Sequence, residues 1–393
     1  MAHRPEAVAG PSTGRILTIT AALLGVATVA GILVLRPGGQ QSRDLTELGV
    51  YRDVYRAAVT QASEGPCQGA AADSPVRCLR VTFQLTEGPD AGARTTVDFP
   101  VDAPVPPLEA GDGAVLGYTP QAEEGFRYSF VDRERRSVLV WLALFFALAV
   151  VALGRLRGLA ALAGLAASLG VLLWFILPAI VGGRDPLAVA VVGAAAIAFL
   201  ALYLSHGFTS MTTVALLGTL ASLALTAVLA QAFVGLAELT GFATEESTIV
   251  RIGAAQIDLA GLTLAGVVIG ALGAIDDVTV TQASAVWELR AADPRMPPRS
   301  LLAAGMRIGR DHVASTVNTL ALAYAGASMP LLILFVLSHQ SLGSIANGEV
   351  VATEIIRTLV GSVGLVASVP ITTWLAVRAA PPSAAHPAPE QAG

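Results

Sequence analysis

The sequence predicts a mainly α fold: a polytopic helical membrane bundle of about eight spans, with a small β-rich extracytoplasmic domain after the first span. Three observations predict it. The 393 residues are 54% hydrophobic and only 13% charged, with mean hydropathy +0.66, which is more apolar side chain than a soluble globule carries and excludes a soluble enzyme. The charges are segregated, so that long apolar runs alternate with short polar stretches. One segment, residues 40–136, has ordinary polar composition and period-2 alternation. All 24 basic residues are Arg, which we read as composition bias, and a net charge of −5 says little about a chain sorted by a bilayer.

The first span is Ile16 to Leu35, uncharged between Arg15 and Arg36 and long enough for roughly 30 Å of hydrocarbon. It exceeds a signal h-region, and Arg36-Pro37-Gly38-Gly39 offers no Ala-x-Ala site, so residues 1–39 read as a tail and an uncleaved anchor. In 40–136, Leu79–Leu85 and Arg94–Phe99 alternate around Glu87-Gly88-Pro89-Asp90, a strand, turn, strand unit in a small barrel of the OB or SH3 kind. The only cysteines, Cys67 and Cys78, bracket a short loop there. Residues 137–378 hold seven further apolar runs: Val138–Leu153, Gly158–Val181, Leu187–Leu204, Met211–Ala237, Leu259–Ile275, Val313–Leu337 and Ile355–Val377. Residues 379–393 read as a disordered tail. Ser300 is expected to cap an interfacial helix, Leu301–Arg310.

With the N-terminus in the cytoplasm, cytoplasmic segments hold ten Arg against three in or beside the short outer loops, Arg184, Arg251 and Arg357. Both termini then face the cytoplasm and 40–136 faces outward, where a Cys67–Cys78 disulfide is favoured over two free thiols.

The sixth span is the most informative. Steps of three and four give Thr263, Gly266, Gly270, Gly273, Asp277, Thr281, Ser284 and Glu288, a stripe first small and then polar, while Asp276 turns toward Val280 and Trp287. Gly266, Gly270 and Gly273 read as a helix-packing seam. Asp277 reads as an ionisable group against protein or a water-filled cavity, the alternative being that both aspartates only mark the span's cytoplasmic end. The seventh span opens with Arg307, Asp311, Ser315 and Asn318 on one face, and His312, Thr316 and Thr319 beside it. An interfacial Arg–Asp pair accounts for Arg307 and Asp311, whereas Asn318, inside the apolar run, needs a partner. The segments beginning at His206 and His312 also match over eleven residues, which suggests a parallel repeat of the kind transporters carry around a substrate site.

Other chemistry lacks its parts. There is no Walker A loop, dinucleotide fingerprint, HExxH or Gly-x-Ser-x-Gly, and no basic, aromatic-interleaved stretch for nucleic acid. Gly273-Ala274-Ile275-Asp276 departs from the intramembrane aspartyl protease motif at Ile275, and two lone cysteines make no zinc site. No cofactor is expected, and the residues leave open whether any metal is held.

At Gly270-Ala271-Leu272-Gly273-Ala274-Ile275-Asp276-Asp277-Val278-Thr279, with Gly309-Arg310-Asp311-His312 and Ser315-Thr316-Val317-Asn318-Thr319, the chain resembles the YibE/F-like family of bacterial membrane proteins, from roughly residue 40 to the eighth span. The resemblance implies a permease-like protein of the bacterial plasma membrane, with an exported β domain ahead of a seven-span bundle. The residues predict secondary transport or channelling of a small ion or polar solute between spans six and seven, through Asp277, Thr281, Ser284 and Asn318, with Asp276, Asp311 and His312 on the same pathway. On this reading Asp277→Asn removes activity and Asp276→Asn does less. The competing class is a non-transporting envelope scaffold or sensor whose exported domain binds a partner. The bilayer and the solute are the expected partners, with room for a homo-oligomer or another membrane protein.

Overall fold

A computed structural model describes residues 11–38, 53–67, 77–100, 107–338 and 340–380. It divides into two compact units, residues 43–152 and residues 1–42 with 153–393. Of the tail expected from 379, everything beyond 380 lies outside the described residues.

The smaller unit is a five-stranded antiparallel sheet of β1 (Asp53–Pro66), β2 (Arg77–Leu85), β3 (Arg94–Pro100), β4 (Gly113–Tyr118) and β5 (Tyr128–Arg133), in the order β3-β2-β1-β4-β5. The two alternating segments lie in β2 and β3, whose inward residues Val81, Phe83, Leu85 and Phe99 join Val59, Ala114 and Leu116 in one core. Bulges between Val59 and Gln61, and between Val115 and Leu116, curl the sheet. Phe130 of β5 then meets Phe99 of β3 at 5.6 Å between ring centroids, which brings the two edges together. β1 is the central strand of this small curled sheet, paired with β2 on one side and β4 on the other. Arg80 on β2 grips Asp98 on β3 through two bonds, 2.9 and 3.0 Å, fixing that register. Burial, then the Asp90 carboxylate that accepts its hydrogen bond, pushes the Tyr128 phenol up. Cys67 is bonded to Cys78 with Cα atoms 5.0 Å apart. In the full chain, alkylation without reductant should leave both sulfurs unmodified by mass, and Cys78→Ser should cost the β unit about 3 kcal/mol.

The larger unit is helical. Its helices are α1 (Pro11–Val34), α2 (Arg136–Val171, which begins in the smaller unit), α3 (Leu177–Val181), α4 (Pro186–His206), α5 (Ser210–Leu236), α6 (Glu245–Gly253), α7 (Leu259–Ala292), α8 (Pro298–Ala327), α9 (Met329–Leu337), α10 (Leu342–Asn347) and α11 (Glu349–Ala379). Helix starts follow local chemistry: Asp185 accepts the Ala188 amide ahead of Pro186, and Thr209 accepts the Thr212 amide. Six helical stretches among the described residues are long and apolar enough to cross a membrane, and a seventh if α8 and α9, bent by 65°, count as one. The expected second and third spans share one stretch, Arg136–Val181, which includes a π turn at Leu172–Ile176 ahead of Pro178. It breaks at Arg155 (φ 54, ψ −128), and its 46 residues would extend about 69 Å, more than twice a hydrocarbon core.

α7 continues seventeen residues past Ile275. Two sequence expectations change here. Leu301–Arg310 is no separate helix but the start of α8, with Ser300 inside it and Pro297 at the cap position. The matched segments differ in conformation: His206 ends α4 and the chain turns at Gly207 (φ 76), whereas His312 lies inside continuous α8. A shared hydroxyl pattern there serves an N-cap in one copy and a helix interior in the other.

α5, α7 and α11 pack on one another, α4 lies against α7, α8 against α7 and α11, and α1 against α4 and α5. The tightest approach joins α5 to α11 through reciprocal slots. Thr372 Oγ1 fills the space of a missing Cβ at Gly218, and Thr226 Oγ1 does the same at Gly364. Thr226 also donates to Ser222 O at 2.9 Å and Ser222 to Gly218 O at 2.8 Å, so two of these core hydroxyls are held by their own helix.

Candidate functional site

Asp276 is the eighteenth of the 34 residues of α7, at the middle of the longest unbroken helix of the bundle. The face of α7 buried in the bundle is Leu264, Val268, Ala271, Ile275, Thr279, Gln282 and Val286, all 5% exposed or less. Spaced by three and four, these residues read as apolar and then hydroxyl and amide. Asp276 borders this face. Thr219 Oγ1 lies 3.5 Å from Asp276 Oδ1 and 2.7 Å from Thr279 Oγ1, and Thr279 donates to the Asp276 carbonyl at 2.9 Å. Thr219 and Thr279 are fully buried.

This corrects the stripe argument. Asp276 faces the packed hydroxyls of α5, while the Asp277 side chain is 71% exposed. The reason is that a helix central to a bundle buries more than one face, and its deepest contact is the apolar series with α5 and α11, not the small and polar stripe. The stripe instead begins against α11 and continues along the seam with α8. A Cβ at Gly266 would meet the Arg357 guanidinium at 3.4 Å, one at Gly270 would meet the Tyr324 hydroxyl, and Gly273 has open space. The glycines therefore admit polar side-chain heads, where a close backbone approach was expected. Arg357 Nη1 donates to Glu354 Oε1 at 2.8 Å, so a charged pair with Tyr324 nearby occupies the start of this seam.

At the seam's middle, His312 Nε2 of α8 lies 3.9 Å from Asp277 Oδ2 and is buried without a hydrogen-bond partner. The structure thus brings Asp277 and His312 together. Thr281 is exposed and Ser284 half-buried on the same stripe. Asn318 and Asp311 are exposed on α8, and among the described residues Asn318 makes no side-chain hydrogen bond, contrary to the expectation of a partner. Arg307 and Asp311 do not form the expected pair among the described ion pairs, and both are exposed. Thr316 and Thr319 donate to carbonyls one turn back, at 3.0 and 3.1 Å.

Sequence reading missed Thr219, Thr279 and Gln282. Gln282 Nε2 donates to Gly305 O at 2.8 Å and to Thr373 Oγ1 at 2.7 Å, tying α7 to α8 and α11. The available signal was a run of buried-face positions turning polar without changing period. A groove of about 620 Å³ opens among α1, α4 and α5, away from these aspartates, and no charged side chain lines it. Among the described residues no cluster of three or more His, Cys, Asp or Glu could hold a metal ion.

No curated protein and no solved structure matches the chain. Residues 142–381, which include every helix of the site just described, match the family model described as YibE/F-like protein. That match covers more than half of the 393 residues, and the chain belongs to the YibE/F-like family.

Proposed function

We propose that this chain is a secondary permease of the bacterial plasma membrane for a small ion or polar solute, with its route passing the aspartate pair at the middle of α7. The observation that carries the reading is a carboxylate, Asp276, at mid-helix among buried hydroxyls, beside a second, Asp277, on a seam with His312. Ionisable groups deep in a membrane bundle are costly and mark pathways for ions and protons. Read as a membrane protein, Arg136–Val181 supplies two spans either side of Arg155 and the bent α8–α9 pair supplies one, which totals eight. The Arg distribution supports cytoplasmic termini and an outward-facing β unit.

A water-filled seam separates this reading from a scaffold, which would need tight packing between α7 and α8. Around Asp277 the open space at Gly273 and the exposure of Asp277 and Thr281 favour the seam, although α7 and α8 pack closely further along, where Gln282 bonds Gly305. Thr281→Cys, made with Cys67 and Cys78 kept as their disulfide, should react with a membrane-impermeant thiol reagent in sealed vesicles. A thiol there that stays unmodified from both faces, yet reacts in denaturant, means a dry contact and removes the route.

A further inference from the structure

We propose that Asp276, Thr219 and Thr279 form a site for a small monovalent cation, a proton or Na⁺, distinct from the Asp277–His312 seam. The site is built from oxygen alone. Asp276 contributes its carboxylate, Thr219 Oγ1 stands 3.5 Å from Oδ1, and Thr279 Oγ1 stands 2.7 Å from Thr219 Oγ1. The two hydroxyl protons are largely committed elsewhere. Thr279 donates to the Asp276 carbonyl at 2.9 Å, which leaves Thr219 to bridge Thr279 at 2.7 Å or the carboxylate at the longer 3.5 Å. An ionised carboxylate here receives no short donor.

It also has no cationic neighbour. Among the described residues no Arg or His lies within ion-pair distance of Asp276. α5 contains no ionisable residue, α4 only Tyr203 and, at its last position, His206, and α11 carries its charges near its ends, at Glu349, Glu354, Arg357 and Arg378. On α8, His312 faces Asp277, Tyr324 lies at Gly270, and Arg299, Arg307, Arg310 and Asp311 are exposed and form no ion pair with Asp276 among the described residues; Asp277, the next residue, adds a like charge. Asp276 is half-buried, and a carboxylate drawn partly out of water without a cationic partner is disfavoured, so the site is completed by a cation it binds. Carboxylate and hydroxyl oxygens are the ligands that Na⁺ and protons use at the midplane of transporters.

The arrangement places two consecutive carboxylates about 100° apart on one helix, one toward hydroxyls on α5 and one toward the α8 seam. Under the permease reading, on which this role as a coupling site rests, a cation at Asp276 and a solute at the seam act on the same turn of α7. Cation binding itself requires no transport, so the two claims fail separately.

The test uses the purified full-length protein in lipid nanodiscs, labelled with dicyclohexylcarbodiimide, which attacks a protonated carboxyl in apolar surroundings, and mapped by peptide mass. Asp276 should be modified while exposed Asp277 is not, and Asp276→Asn should abolish the adduct. At ten times the dissociation constant about a tenth of the sites stay free, so a bound competitor should slow labelling about tenfold. Slowing by NaCl at fixed pH, with choline chloride matching ionic strength, identifies Na⁺. Slowing only as pH rises identifies the proton. Thr219→Val, which keeps the shape and removes the hydroxyl, should shift the protecting NaCl concentration or the pH midpoint. An unlabelled Asp276 at every pH, labelling indifferent to both Na⁺ and pH, or a profile unmoved by Thr219→Val overturns the proposal. Protected labelling in a protein that moves no solute keeps the cation site and removes only its coupling role.

Discussion

Asp276→Asn is expected to abolish solute uptake while the bundle stays assembled. Asparagine keeps the shape of the side chain and still accepts from Thr219, so the contact between α5 and α7 survives. What disappears is the negative charge. A hydrogen-bonded or ligating charge contributes up to about 3 kcal/mol, which is about two orders of magnitude in binding. Thermal stability should change little, because Asp276 is half-buried and asparagine keeps the contact with Thr219. Asp277→Asn, at a position with a 71% exposed side chain, should weaken uptake through its partner His312 without changing cation dependence. The measurement is uptake in proteoliposomes at matched incorporation, with melting followed in detergent. Loss of the folded protein in Asp276→Asn would make the residue structural.

The largest effect on assembly is expected where α5 and α11 interlock. Gly218→Val or Gly364→Val places a branched side chain where Thr372 Oγ1 or Thr226 Oγ1 already sits. The neighbouring atoms cannot withdraw, because Thr226 is bonded to Ser222 O and Thr372 is fully buried on α11. Overpacking of this kind costs about 1–3 kcal/mol, and more where two backbones must separate. Each variant should elute from size exclusion as aggregate, whereas Gly326→Ala, on α8 with nothing within 4 Å of the added methyl, should elute as the wild type. A well-folded Gly364→Val would show that the three-helix core is not as tightly packed as described.

The β unit was legible because its sequence alternates: Leu79–Leu85 buries Val81, Phe83 and Leu85, Arg94–Phe99 buries Phe99, and the turn between them is rich in Gly, Pro and Asp. The Cys67–Cys78 pair was legible from the short loop the two residues bracket and from the side of the membrane that the Arg distribution predicts. The helical runs were legible from length and lack of charge. Their inward faces were not. In a chain where nearly every position of a helix is apolar, hydrophobic periodicity cannot separate the side packed on protein from the side left for lipid. That is why Asp277, on the conspicuous small and polar stripe, looked interior, and why Asp276, beside Thr279 and Gln282, did not. The partner residue Thr219 lies 57 positions away in a helix with no charge to draw attention to it. The continuity of α7 past Ile275 was hidden by the onset of polar residues, which here lie inside a continuous helix.

The central claim is that the middle of α7 is a solute route, and labelled-solute uptake into proteoliposomes across a panel of cations, anions and small polar solutes tests it most directly. The account predicts that at least one solute enters faster than into protein-free liposomes, and that Asp276→Asn at equal incorporation returns its entry to the protein-free rate. A solute whose entry is identical in wild type and Asp276→Asn, or a folded protein that admits none of the panel under any imposed ion gradient, would contradict it.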